Sequence, residues 1–197
     1  MAIETLKGRK KSRGRLRIVA GIWRSRVLEI ADVEGLRPTS ERIRETLFNW
    51  LTPGMAGARC LDLFAGTGAL GLEALSRGAA SAVFVENSRI AIATLRRNIA
   101  SLDASGAVIH AGAAADYIDA AAAERFDIVF LDPPFADDNL AELCRLIDES
   151  ELLAANANVY LEQDRARPEP DLPDGWTVLK SKVAGNVRYM LAAVGPG

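Results

Sequence analysis

Short, nearly unbroken apolar runs alternate along the chain with segments whose apolar residues recur every three or four positions. The runs Cys60–Phe64, Val83–Glu86, Val108–His110, Phe126–Leu131 and Val159–Glu162 predict strands, and their near-continuous hydrophobicity suits a parallel sheet buried on both faces. Between them, helical spacing predicts helices from Gly68 to about Arg77, Arg89 to Leu102, Ala113 to Ala123 and from Leu140 onward. Trp176–Val183 and Val187–Val194 flank Ala184-Gly185-Asn186 and predict a closing hairpin. Strand–helix alternation finished by a hairpin implies an α/β fold, with a mainly parallel seven-stranded sheet and an antiparallel edge. Ahead of this body, Leu16–Gly21 and Arg26–Ile30 alternate as a small hairpin would. Thr39 or Ser40 caps a further helix with Ile43, Leu47, Trp50 and Leu51 on its core face. Arg42 and Arg44 then read as a solvated helix face. Pro53-Gly54-Met55-Ala56-Gly57 punctuates the chain, giving a leader over 1–14, an appendage over 15–54 and a main domain over 55–197.

Charge changes the picture at the amino end. Residues 1–26 carry nine basic side chains against one acid, Glu4, while the rest of the 197-residue chain balances to −10. A basic arm on an acidic body points to a polyanion partner. Arg15, Arg17, Trp23, Arg24 and Arg26 on the hairpin, with Arg37 beyond it, are the candidate contacts, because guanidinium groups beside an aromatic suit phosphates and unstacked bases. Ordinary packing of Trp23 is the alternative. No apolar run approaches a membrane span. Cys60 and Cys144 match no metal spacing, and two unpaired thiols suit a reducing cytoplasm. His110 is the single histidine, which leaves no basis for a His-based metal site or triad.

Two motifs carry chemistry. After the apolar run come Asp132, Pro133, Pro134 and Phe135. The prolines end the strand, placing Asp132 at the carboxyl edge where open α/β sheets bind ligands. A carboxylate, the Pro133 carbonyl and a flat ring together suit a planar amino group. The second motif is Asp62, Phe64, Ala65, Gly66, Thr67 and Gly68, a strand end and tight glycine loop opening a helix. Gly66-x-Gly68-x-x-Gly71 also satisfies a dinucleotide fingerprint, but the next strand's acid, Glu86, lies only 15 positions beyond Gly71. Glu86 can accept ribose hydroxyls, with Asn87 beside it.

Asp-Pro-Pro-Phe after a hydrophobic strand resembles the amino-methylating, S-adenosylmethionine-dependent methyltransferases. With Phe-Ala-Gly-Thr-Gly and the stretch Leu36–Leu51, the chain from about Arg15 to Val194 resembles the RsmD family. The resemblance implies a Rossmann-like class I methyltransferase fold and S-adenosyl-L-methionine as cofactor. It implies methylation of a guanine N2 in 16S ribosomal RNA, within the small subunit or an assembly intermediate, by a cytoplasmic monomer. It implies that Thr39 and the residues around it cover the methionine end of the cofactor. The family's adenine contact after the third strand is missing, since Ala111-Gly112-Ala113-Ala114 stands there; backbone groups or Asp116 would have to serve. Three alternatives stay open: methylation of another nucleic-acid amine such as adenine N6, a NAD-type oxidoreductase, and an inactive RNA-binding protein.

Overall fold

A computed structural model describes residues 15–33, 38–120 and 124–195. Arg37 and the leader expected over 1–14 lie outside them. The chain opens with strands β1 (Arg15–Arg17) and β2 (Val27–Glu29), paired antiparallel with Leu16 opposite Leu28. Only those two leucines of the hairpin strands are buried.

Helix α1 (Glu41–Met55) starts where the Ser40 side chain accepts a hydrogen bond from the Ile43 N–H at 3.4 Å, with Glu41 in the favourable first turn. It continues through Pro53, so the boundary expected near residue 54 falls inside its last turn.

The body follows as β3 (Arg59–Asp62), α2 (Ala69–Ser76), β4 (Ser81–Glu86), α3 (Arg89–Leu102), β5 (Ala107–Ala111), α4 (Ala114–Ala120), β6 (Phe126–Leu131), α5 (Leu140–Glu149), β7 (Leu153–Asp164), β8 (Trp176–Ala184) and β9 (Val187–Val194). The sheet order is β5-β4-β3-β6-β7-β9-β8. The first five strands are mutually parallel, and the hairpin supplies the antiparallel edge, with β9 reversed against both neighbours. β7 is far longer than Val159–Glu162, because its early residues pair with β6 across a register shift.

Successive strand residues face opposite sides. Cys60, Phe84, Ile128, Phe130 and Tyr160 join a core shared with α1, α2, α3 and the amino-terminal hairpin. Leu61, Val83, Val85, Val129, Leu131 and Leu161 join the other, beneath α4 and α5. Every residue of α2 is buried, which explains its nearly uniform apolar sequence. Gly21 lies against this helix with φ +86°, and a β-carbon there would sit 1.8 Å from the Ser76 carbonyl oxygen. The Ile22 N–H donates to that same oxygen at 2.8 Å.

Candidate active site

The carboxyl ends of β3, β4, β6 and β7 converge on the two sequence motifs. The loop Ala65–Gly68 turns through glycines with φ +53° at Gly66 and +88° at Gly68. A β-carbon on Gly71 would strike the Phe84 ring at 2.3 Å, so the third glycine of the fingerprint permits α2 to pack on β4. Asp62, 2% exposed, accepts a hydrogen bond from the Gly71 N–H at 3.2 Å and so ties the strand end to the first turn of α2. Burial pushes the Asp62 carboxyl up to about 7, with Glu86 adding to the shift and the Gly71 N–H opposing it. Glu86 accepts from the Gly66 N–H and the Ser88 N–H, both at 2.7 Å. Asn87 is exposed, and Phe64 is half-buried against the core beneath α4 and α5.

Asp132 is half-buried, Pro133 buried, Pro134 exposed and Phe135 half-buried. The Thr39 hydroxyl donates to Asp132 Oδ2 at 3.2 Å. Burial holds the Asp132 carboxyl well above the usual carboxylate range, helped by the neighbouring Glu162 and Asp62 and opposed by the Thr39 hydrogen bond. The loop after Phe135 is clamped by Arg167, which donates to the Phe135 carbonyl and to Asp138 Oδ1. Asp116 is exposed in the first turn of α4.

Arg44 corrects the sequence expectation. It is fully buried, because a run of polar partners awaits it inside the core. Its guanidinium donates to Glu73 Oε2 at 2.9 Å, to the Arg17 carbonyl at 2.8 Å and to the Thr39 carbonyl at 3.2 Å. Glu73 in turn accepts from the Val19 and Ala20 N–H groups at 2.8 and 3.0 Å and from Arg77 at 2.8 Å. One bonded network thus joins the hairpin, α2, the residue beside Asp132, and Asp132 itself. The visible signal was Glu73, a single charge in an otherwise apolar helix. Asn98 makes a second junction, donating to both Glu29 and Thr67 carbonyls at 3.0 Å.

On the hairpin, Arg15, Arg17, Arg24 and Arg26 are exposed. Arg26 donates to the Ser101 carbonyl at 2.6 Å. Trp23 sits in the turn, half-buried against the core, and its backbone N–H donates to Ser76 Oγ at 3.0 Å.

The cradle fits S-adenosylmethionine. The Thr67 hydroxyl is buried without a partner, although buried polar atoms normally find one. Glu86 spends two of the roughly four acceptor positions of a carboxylate on backbone groups, leaving others for ribose hydroxyls. The acidic edge formed by Asp62 and Asp132 suits a ligand bearing a sulfonium and an ammonium. A mainly parallel sheet of this order, with the reversed strand β9 inserted between β7 and β8, a glycine turn after β3 and an acidic residue ending β4, is that of a class I methyltransferase dependent on S-adenosylmethionine.

A family model described as "Conserved hypothetical protein 95" matches residues 16–193. Ribosomal RNA small subunit methyltransferase D of Escherichia coli is 44% identical over 90% of this chain and 89% of its own length. The protein of the same name from Haemophilus influenzae is 40% identical over 91% of this chain and 94% of its own. A solved Escherichia coli structure, provisionally named a methyltransferase, superposes with a TM-score of 0.84 at 41% identity, covering 92% of this chain and 99% of that one. The chain belongs to the ribosomal RNA small subunit methyltransferase D family. Among the described residues no helix is long and apolar enough to cross a membrane.

Proposed function

We propose that this enzyme transfers a methyl group to the exocyclic N2 amine of a guanine in 16S ribosomal RNA, acting as a cytoplasmic monomer on the small subunit or an assembly intermediate. The observation that carries the reading is Asp132-Pro133-Pro134-Phe135 at the end of β6, with Asp132 oriented by the Thr39 hydroxyl. S-adenosylmethionine supplies an electrophilic methyl group on a sulfonium that leaves as a neutral thioether. Gly66, Thr67, Gly68, Glu86 and Asn87 would hold its nucleoside half, and Asp62, Phe64, Ala65 and Thr39 its reactive half.

The N2 lone pair is delocalised into the guanine ring, so the amine is a poor nucleophile. The protein therefore works by placement and by acceptors aimed where positive charge grows. Asp132 and the Pro133 carbonyl accept the two amine N–H groups, and Phe135 stacks on the base, its loop fixed by Arg167. Once nitrogen has bonded to carbon it is cationic and acidic, and it then sheds one proton to Asp132, which need not be a strong base. The base reaches the pocket from a loop or by leaving its helix. Arg15, Arg17, Arg24 and Arg26, with Trp23 beside them and Arg37 outside the described residues, supply the phosphate-facing surface.

The test offers labelled S-adenosylmethionine with under-methylated small-subunit particles, free 16S RNA and DNA, followed by mapping of the modified base. Label on one guanine N2 is the expected result. Label on adenine N6 or on DNA overturns the proposal.

A further inference from the structure

The carboxyl edge of the sheet gathers three carboxylates on one face. β3 ends on Asp62, β6 is followed by Asp132, and Glu162 stands near the end of β7. Cys60, Phe130 and Tyr160, each two positions earlier, all join the same core, and side chains two apart share a face. The parallel register sets Phe130 beside Tyr160 and Leu131 beside Leu161, and Asp132, the residue after β6, lies close enough to Glu162 to feel its charge. Glu162 is 5% exposed and accepts a hydrogen bond from the Tyr160 hydroxyl at 2.6 Å. The donors to Asp132 and Glu162, Thr39 and Tyr160, are both neutral. Among the described residues, no Lys or Arg forms an ion pair with either carboxylate.

We propose, resting on the reading of Asp132 as the amine's acceptor, that Glu162 is a positioning residue: it shares one proton with Asp132 and so sets the pH at which Asp132 becomes an acceptor. Two adjacent carboxylates in a desolvated site without a cation do not both ionise easily, and their protons leave in steps that belong to the pair. Burial raises both carboxyls, and Glu162 raises Asp132 further. The Thr39 hydroxyl opposes the shift on both, and the Tyr160 hydroxyl opposes it on Glu162. The other groups facing the pair are Asp62 of β3 and Tyr189 of β9, which lies opposite Glu162 in the ladder. Arg44 of α1 reaches the Thr39 carbonyl, but its charge is matched by Glu73. With the pair singly protonated, Asp132 can be charged toward the amine, take the released proton and return it to solvent.

The decisive measurement is a carboxyl carbon-13 NMR titration of the cofactor-free protein. In the parent, Asp132 is expected to titrate in two coupled steps. In Glu162→Gln, which keeps an acceptor for Tyr160, Asp132 is expected to titrate alone and lower by about one pH unit or more, as loss of a like charge requires. Thr39→Val is expected to move Asp132 upward, and Thr39→Ser, which keeps the hydroxyl, to restore the parent value. If Glu162→Gln does not fold, Tyr160→Phe serves: without its donor Glu162 holds the proton more tightly, and Asp132 moves down by less. The acid limb of the single-turnover pH–rate profile of Glu162→Gln is expected to move down with Asp132, its alkaline plateau staying within about threefold of the parent; Thr39→Val, which also removes a contact at the cofactor's reactive half, is read by the NMR titration alone. An unmoved Asp132 midpoint in a folded Glu162→Gln protein overturns the proposal, as does a rate lowered equally at every pH, which is what a merely structural Glu162 would give. Asp132→Ala, which unlike Asn leaves no side-chain acceptor, separates the two readings: methylation at the parent rate would remove Asp132 as acceptor and Glu162's role with it, whatever the NMR titration shows of the pair.

Discussion

Arg44 and Glu73 meet at 2.9 Å with both side chains wholly excluded from solvent. Burial pulls the Arg44 guanidinium down from its ordinary value, with the Glu73 charge opposing. The partners are unequal. Glu73 also receives Arg77 and two backbone N–H groups, whereas Arg44 has no other carboxylate bonded to it among the described residues. Removing the carboxylate charge therefore strands a buried cation. Glu73→Gln is expected to cost about 3–5 kcal/mol of stability, and Arg44→Met less, since Glu73 retains its remaining donors. Urea unfolding of both variants and the double variant checks this, with the double costing less than the sum.

Asp132→Ala is expected to lower the methyl-transfer rate by about 10²–10³, as loss of a transition-state acceptor does, while leaving cofactor affinity nearly unchanged. Single-turnover rates beside calorimetric binding separate the two. A normal rate would take Asp132 out of the chemistry.

Glu86→Ala is expected to weaken S-adenosylmethionine binding by about 1.5–3 kcal/mol through lost charge-assisted contacts. It also releases the Gly66 and Ser88 N–H groups, so the loop itself loosens. Glu86→Gln, able to accept from one of them, is expected to lose less. Calorimetry measures both, and NAD is expected to show no binding.

Asp62 makes stability depend on pH. Its folded value of about 7 lies above its ordinary 3.8, so the folded protein holds this proton more tightly than the unfolded chain does. The contribution is complete below about pH 4 and is lost as pH rises through the folded value near 7. Urea unfolding of the cofactor-free protein between pH 4 and 8 is expected to show this declining component. Asp62→Asn should remove its share and leave that of the raised Asp132 and Glu162 carboxyls.

Replacing Arg15, Arg17, Arg24 and Arg26 together by alanine is expected to make log RNA affinity about 3 units shallower against log salt, at roughly 0.7 per single-strand phosphate contact. Cofactor binding is expected to persist, because Gly66, Gly68 and Glu86 are untouched. Deleting residues 1–13 should cost less. Filter binding across a salt series compares them, and equal slopes would mean that RNA docks elsewhere.

The fold was legible because its central strands are buried on both faces and therefore spell themselves as apolar runs, as Phe126–Leu131 does. The Asp132 and glycine-loop motifs were legible because strand-ending prolines and left-handed glycines leave local marks. Arg44 was not, since its burial depends on Glu73, 29 positions away, and on a hairpin that periodicity cannot dock. Glu162 was hidden differently. It ends an apolar run as Asp132 does, but without the prolines that draw the eye, and its meaning lies in the β6–β7 register.

Gly21 leaves no room for even a methyl group against the Ser76 carbonyl. The hairpin thereby packs backbone against backbone on the same helix that carries Glu73, and through Arg44 and Thr39 it is bonded on to Asp132. If the arm's arginines meet phosphates as proposed, such a mounting makes it a ruler: the span from arm to pocket selects a folded loop that presents its amine at a set offset over any run of bases, and altering the length of the Gly21 turn is expected to move the methyl mark rather than merely weaken it.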